Sequence, residues 1–133
     1  MSIKPVPEIT AVNHLFFEGT ARGELRLRLC LACGARFRFS HPLCPNCWSH
    51  DLTYEVSSGQ GVIESFTIIH MPPYEAFAAD VPYVIALVML QERVRMMANI
   101  IDIPPEQVSI DMPVNVFFEL RGGVFLPQFR PSD

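Results

Sequence analysis

The run Cys30-Leu-Ala-Cys33-Gly-Ala-Arg-Phe-Arg-Phe-Ser-His-Pro-Leu-Cys44-Pro-Asn-Cys47 carries all four cysteines of the chain, as two Cys-x-x-Cys pairs with ten residues between them. Each pair can form a tight knuckle that presents two sulfurs to one ion, and the intervening residues turn back to complete a tetrahedron with Zn–S bonds of about 2.3 Å. A structural zinc ribbon is therefore the first expectation. Four thiolates close the coordination sphere, so such an ion holds shape and does not activate water. The same four ligands also suit an iron centre of rubredoxin type. Two disulfides and a redox Cys-x-x-Cys are the other readings. No apolar leader segment comes after Met1-Ser-Ile-Lys-Pro, which points to a reducing cytoplasmic compartment and against disulfides. His41 and His50 flank the second pair and are read as ordinary loop histidines.

Outward from the knuckles, Glu24-Leu-Arg-Leu-Arg-Leu-Cys30 alternates strictly, the pattern of a half-buried strand. Phe37 and Phe39 repeat that alternation, and Trp48 is expected to cover the metal or to pack at the junction between ribbon and barrel. On the N-terminal side, Val12, Leu15 and Phe16 lie at helical spacing, with Phe17 beside them, on a helix running to about Ala21 and stopped near Gly23. So short a helix carries more aromatic surface than it can bury alone. These four residues are therefore candidates for a partner interface, with packing on the chain's own ribbon as the alternative.

After Ser57-Ser-Gly-Gln-Gly61 the composition changes. Val62–Ile69, Tyr83–Leu90, Val94–Ile101, Val114–Leu120 and Val124–Phe129 are five runs rich in Val, Ile and Phe, separated by Pro- and Gly-bearing breaks. Five strands in about 70 residues predict a small closed barrel of OB type, since closure removes exposed edges. The fold class expected is thus mainly β: a short N-terminal arm and helix (1–23), a rubredoxin-like zinc ribbon (24–56) and a five-stranded OB-fold barrel (57–133).

The chain has 133 residues, of which half are hydrophobic and 18% charged, enough for one compact core beside a metal module. Its longest apolar stretch, Val81 to Leu90, is far below the roughly 20 residues that span a bilayer. The net charge of −4 hides an asymmetry. Arg22, Arg26, Arg28, Arg36 and Arg38 surround the first knuckle, while Phe39 to Glu92 contains no Lys or Arg and six acids. These arginines either compensate the −2 charge of a four-thiolate zinc or make a site for phosphate or an acidic surface. An acidic total argues against nonspecific DNA binding.

The inventory of reactive groups is thin. No GxSxG, P-loop, GxGxxG or HExxH occurs. Every thiol is claimed by the metal, His14 and His70 have no adjacent Ser or Cys, and Asp102 and Asp111 read as turn residues. A binding module is the expectation, not an enzyme by itself.

In order along the chain stand a helix with paired aromatics, the CxxCG and CPxC knuckles, a Ser-Gly-x-Gly hinge, the strand Pro82-Tyr-Val-Ile-Ala-Leu-Val88 and the terminal Pro127-Gln-Phe-Arg-Pro131. Together, from about Asn13 to Pro131, they resemble the acyl-CoA-associated OB-fold proteins with a rubredoxin-like zinc ribbon, a former domain-of-unknown-function family. The resemblance implies an accessory subunit of a hetero-oligomer. Its partner would be a thiolase-like catalytic subunit, or a hydratase or synthase, supplying the catalytic cysteine and histidines. The ribbon-barrel chain would dock on it and help form a channel for a CoA thioester shared between them. Arg93 and Arg95, two apart on an expected strand, are the candidate contacts for CoA phosphate. The chain departs from the family pattern at Glu92 and Asp111, where glycine is usual. The alternative class is a nucleic-acid-binding ribbon and OB module. That module needs aromatics over a basic groove, and here the barrel half offers only Arg93, Arg95, Arg121 and Arg130. Phe117 and Phe118 project to opposite faces. A rubredoxin-like electron carrier is a third reading.

Overall fold

The computed structural model describes residues 4–38 and 41–132, so the Phe39 part of the expected alternation lies outside the described residues. Helix α1 (His14–Ala21) is followed by ribbon strands β1 (Arg26–Cys30), β2 (Arg36–Phe37) and β3 (Leu52–Val56). Barrel strands β4 (Gln60–Ile69), β5 (Tyr83–Leu90), β6 (Arg95–Ile100), β7 (Pro113–Arg121) and β8 (Val124–Pro131) complete the chain, with single 3-10 turns at Glu75–Phe77 and Pro105–Gln107.

The ribbon sheet has the order β2-β1-β3, and the barrel closes in the order β4-β5-β6-β8-β7. Strand β3 is an element not among those expected from the sequence. Its Leu52, Tyr54 and Val56 do alternate, and its register on β1 runs from Arg26↔Val56 to Cys30↔Leu52. Along β5 burial alternates without a fault, which places Val84, Ala86, Val88 and Leu90 inside the barrel. Strand β4 must pair with both β5 and β7, and a register shift between Ile63 and Ser65 marks where it bends to do so. Gly59 sits at φ +77° in the linker, and a Cβ there would meet Val116 Cγ1 at 2.5 Å, so the hinge needs glycine on both counts.

Hydrophobic burial forms two clusters among the described residues. One is the barrel interior around Phe129, Ile63, Val88 and Val114, and it continues without a break through Phe16, Phe17, Leu25 and Leu27. The other is small: Cys30, Phe37 and Cys44, with Ala35 and Leu52 against them. Strand β1 thus has one end in the barrel's core and the other at the cysteines. Among the described residues no helix is long and apolar enough to cross a membrane.

Candidate metal centre and binding surfaces

The two knuckles are near copies of one another. In the first, Gly34 N–H donates to Cys30 O at 2.9 Å and Cys30 N–H to Ala35 O at 2.9 Å. In the second, Trp48 N–H donates to Cys44 O at 2.8 Å and Cys44 N–H to Ser49 O at 2.9 Å. Each turn requires a left-handed residue just after its second cysteine. Gly34 meets this at φ +79°, but the second knuckle places Trp48 there at φ +66°. Trp48 is 75% exposed, so it neither covers the metal site nor packs at the junction, and both expectations for it are corrected. The turn fixes its backbone, and the side chain is left in solvent.

The four sulfurs converge. Cys30 Sγ lies 3.6 Å from Cys47 Sγ and Cys33 Sγ lies 3.6 Å from Cys44 Sγ, with all four within 4.8 Å of one another. A tetrahedron with bonds of about 2.3 Å has S···S edges of about 3.8 Å, so the cluster fits one zinc ion with little adjustment. Amide donors already face the sulfurs: Asn46 N–H and Cys47 N–H approach Cys44 Sγ at 3.4 Å, and Asn46 Nδ2 approaches Cys33 Sγ at 3.5 Å. The side-chain bond from Asn46, then the backbone at Ala35, lowers the Cys33 thiol to about 6. At Cys47 the Ser49 backbone bond also lowers the pKa, but Cys30, desolvation, Cys33 and Cys44 together push it up to about 12. The opposite shifts of Cys33 and Cys47 show two thiols whose charges compete when no cation lies between them. With the ion bound, its charge supplies what the cluster lacks.

The arginines around the first knuckle are largely committed elsewhere. Arg26, buried, donates to Leu15 O at 3.1 Å, pairs with Glu24 and stacks 4.2 Å above the Tyr54 ring. Arg28 donates to Val12 O at 3.2 Å, and Arg36 holds Glu55 at 2.8 Å. Arg26 and Arg28 thereby satisfy carbonyls at the helix and tie it to the ribbon, so neither is a free phosphate ligand. Phe16 and Phe17, expected as a partner-facing pair, are only 5% and 8% exposed. Their rings meet edge to face at 5.2 Å inside the chain's own core. Packing the helix against the barrel explains the aromatic excess, and it leaves Val12 and Leu15 half-buried at the edge of that contact.

The expected pairing of Arg93 and Arg95 on one strand face is corrected by the backbone. Arg93 precedes β6 and occupies a left-handed turn position at φ +67°, so the two do not share a strand's alternation. Arg95 is on the strand and pairs with Glu64 at 2.7 Å. Arg93 is exposed, makes no ion pair among the described residues, and lines a cleft of about 590 Å³ with Gln60, Gln91 and Asn115. Its neighbour Glu92 has a role that sequence reasoning missed. One carboxylate oxygen accepts the Ser57 hydroxyl at 2.7 Å and the other accepts Ser58 N–H at 2.9 Å, latching the β5–β6 turn to the hinge between ribbon and barrel. Partial desolvation works to raise the Glu92 pKa, yet the Ser58 N–H and Ser57 hydroxyl outweigh it and hold the carboxyl below its ordinary value. Asp111, the second departure from glycine, keeps the glycine-like backbone at φ +67°.

Comparison with known proteins agrees with this architecture. Residues 17–53 match the family model described as "ChsH2, rubredoxin-like zinc ribbon domain", and residues 54–119 match "ChsH2, C-terminal OB-fold domain". A "Probable enoyl-CoA hydratase alpha subunit" of Thermomonospora curvata is 35% identical over 98% of this chain; the chain spans 41% of that relative's length. A "DUF35 domain-containing scaffold protein" of Methanocaldococcus jannaschii is 34% identical over 67% of this chain and 63% of its own. A solved chain described as "Ltp2-ChsH2(DUF35) aldolase" is 34% identical and superimposes with a TM-score of 0.86, covering 96% of this chain and 100% of that one.

Proposed function

Because this chain belongs to the ChsH2/DUF35 family of zinc-ribbon and OB-fold proteins, we propose that it is a non-catalytic scaffold subunit of an enzyme complex acting on acyl-CoA thioesters. The observation that carries the reading is the commitment of all four thiols to one closed cluster. An acyl-transfer nucleophile must then come from another subunit. The names of the relatives, hydratase alpha subunit, scaffold protein and aldolase, support a complex of this kind. Within it the catalytic partner is thiolase-like, the ion is zinc, and the compartment is the cytoplasm, where reduced thiols persist. Val12 and Leu15 are the parts of the helix left to contribute to docking. Of the two candidate phosphate contacts, Arg93 makes no ion pair among the described residues and is assigned to the anionic part of the CoA thioester.

The test is co-purification of the tagged chain with the proteins encoded beside it, with an assay of each part alone. The expected result is a stable hetero-oligomer that turns over an acyl-CoA substrate, and an isolated chain that does not. Steady turnover by the isolated chain, or its recovery alone from cells that express those neighbours, overturns the reading. In the assembled complex, Arg93→Ala should raise KM for the acyl-CoA substrate, while Arg95→Ala should leave it unchanged.

A further inference from the structure

Among the described residues the barrel is paired least between β6 and β8, and a proline stands in that seam. The β5–β6 hairpin closes with Leu90 N–H donating to Val94 O at 2.9 Å, and the register carries that hydrogen-bonded phase to Val88↔Met96 and Ala86↔Ala98. Arg95, Met97 and Asn99 therefore turn their N–H and C=O groups away from β5, toward β8. On β8, Phe129 O accepts Ile101 N–H at 2.8 Å, so Phe129 and, two residues earlier, Pro127 are the ones turned toward β6. Pro127 has no N–H to donate, and the β6–β8 ladder consists of one register, Ile100↔Phe129. Gln128 repairs the next position: its Oε1 accepts Asn99 N–H at 2.8 Å, in the place a strand carbonyl would take. At Met97 the ladder has no register with β8, and the residue is 61% exposed.

This edge borders a groove of about 480 Å³, walled by Tyr74, Phe77, Ile85 and Leu126. Gln128 lines it as well; the residue is 6% exposed, and its Nε2, unlike its Oε1, is left to the groove's solvent. Arg38 stands at the groove without an ion pair among those residues. Pro5 and Pro7 of the N-terminal arm form part of its rim, and as prolines they cannot donate to the edge.

We infer that this seam is a strand-addition site, and that its occupant is an extended, apolar peptide segment of the catalytic partner. The segment pairs its backbone with Met97 and carries an acidic residue for Arg38. The donor and acceptor of Met97 both lie on one edge, which suits a peptide unit in extended form better than a compact ligand. Apolar walls accept alternate side chains, and the Gln128 amide is placed for a carbonyl. The inference rests on the proposed scaffold role, since it takes the occupant from that partner.

The experiment is amide hydrogen exchange at Met97, in the free chain and in the complex recovered with its partner. In the free chain Met97 exchanges fast between slow Met96 and Ala98; in the complex it slows by roughly 100-fold or more. Met97→Pro removes this one donor while leaving the β5 ladder intact, and it lowers affinity for the partner about tenfold. Met97→Leu binds as the parent does. An assembled complex in which Met97 still exchanges fast overturns the inference and leaves the scaffold reading standing, whether or not Met97→Pro folds. Absence of any complex overturns both. Protection that appears only with concentration-dependent self-association assigns the edge to a second copy of this chain, and overturns the partner-segment assignment.

Discussion

The ribbon and the barrel hold their strands together by opposite means. Behind β5 and β6 lies a continuous hydrocarbon interior, with Phe129, Ile63, Val88 and Val114 almost wholly removed from water. Behind the knuckles lie Phe37 and two buried cysteines, far too little apolar surface to order the segment from Leu31 to Asp51. A region without a core can be shaped by one ion, provided that the backbone aims every ligand in advance. The two matched knuckle turns do this. The lesson is that the two halves should fail under different insults, and selective damage either divides them or shows where they are joined.

The largest effect is expected from the metal. Chelation, or Cys44→Ser, should release about one zinc per chain and remove exchange protection from residues 31–51, because structural zinc contributes roughly 10–16 kcal/mol to folding in small sites. Amides of Val84 and Val88 should stay protected. Stoichiometric iron, or a barrel that melts together with the ribbon, would break the contrast. The converse insult is Phe129→Ala, which empties the barrel's most buried large side chain and should cost about 3–5 kcal/mol. A lowered Tm with full zinc content is the expected result. Leu25→Ala addresses the joint: it removes a ribbon residue from the barrel's cluster, and a loss of about 2–4 kcal/mol should appear in barrel stability although the substitution is outside the barrel. If only the ribbon weakens, the two halves do not share a core.

Glu92→Gln should cost about 1 kcal/mol by weakening the latch on Ser57 and Ser58. Its folded pKa lies below the ordinary 4.5, so the carboxylate's contribution is complete above that value and is lost as pH falls through it toward the lower folded value. Parent and variant should therefore converge in stability under acid. Equal differences at neutral pH and at a pH well below the lowered folded pKa would show that the carboxylate is not what holds the hinge. The smallest change is a gain: Trp48→Gly should stabilise the ribbon by about 1 kcal/mol, by relieving the left-handed tryptophan while exposing nothing that was buried. Chemical denaturation monitored through the metal's release would detect it.

Much of this architecture can be read from local signals. The knuckles need only spacing, and β5 needs only the alternation from Tyr83 to Leu90. The barrel's remaining strands begin and end within a few residues of their apolar runs. Commitment between distant residues is what local signals do not carry. Nothing local to Phe16 and Phe17 says that β8 and the barrel receive them, or that Arg26 bonds to Leu15 eleven positions earlier. Arg93 and Arg95 look alike in sequence, and only the left-handed backbone at Arg93 separates them. The Glu92 latch joins residues more than thirty positions apart and carries no motif. In contrast, Leu52, Tyr54 and Val56 do carry a signal for β3, a short alternation directly before the Ser57 hinge.

The passage of Leu25 and Leu27 into the barrel's interior also bears on how such proteins can be recombined. A cut at the Ser57 hinge would look clean on a sequence diagram, yet it would leave one fragment with an unfilled patch and the other with two stranded leucines. The unit that can be exchanged is smaller: the loop of chain from Cys30 to Asp51 with its ion, borne on strands whose roots stay behind. New knuckles, and with them a new residue at the place of Trp48, can be grafted onto this barrel without disturbing anything that keeps it folded.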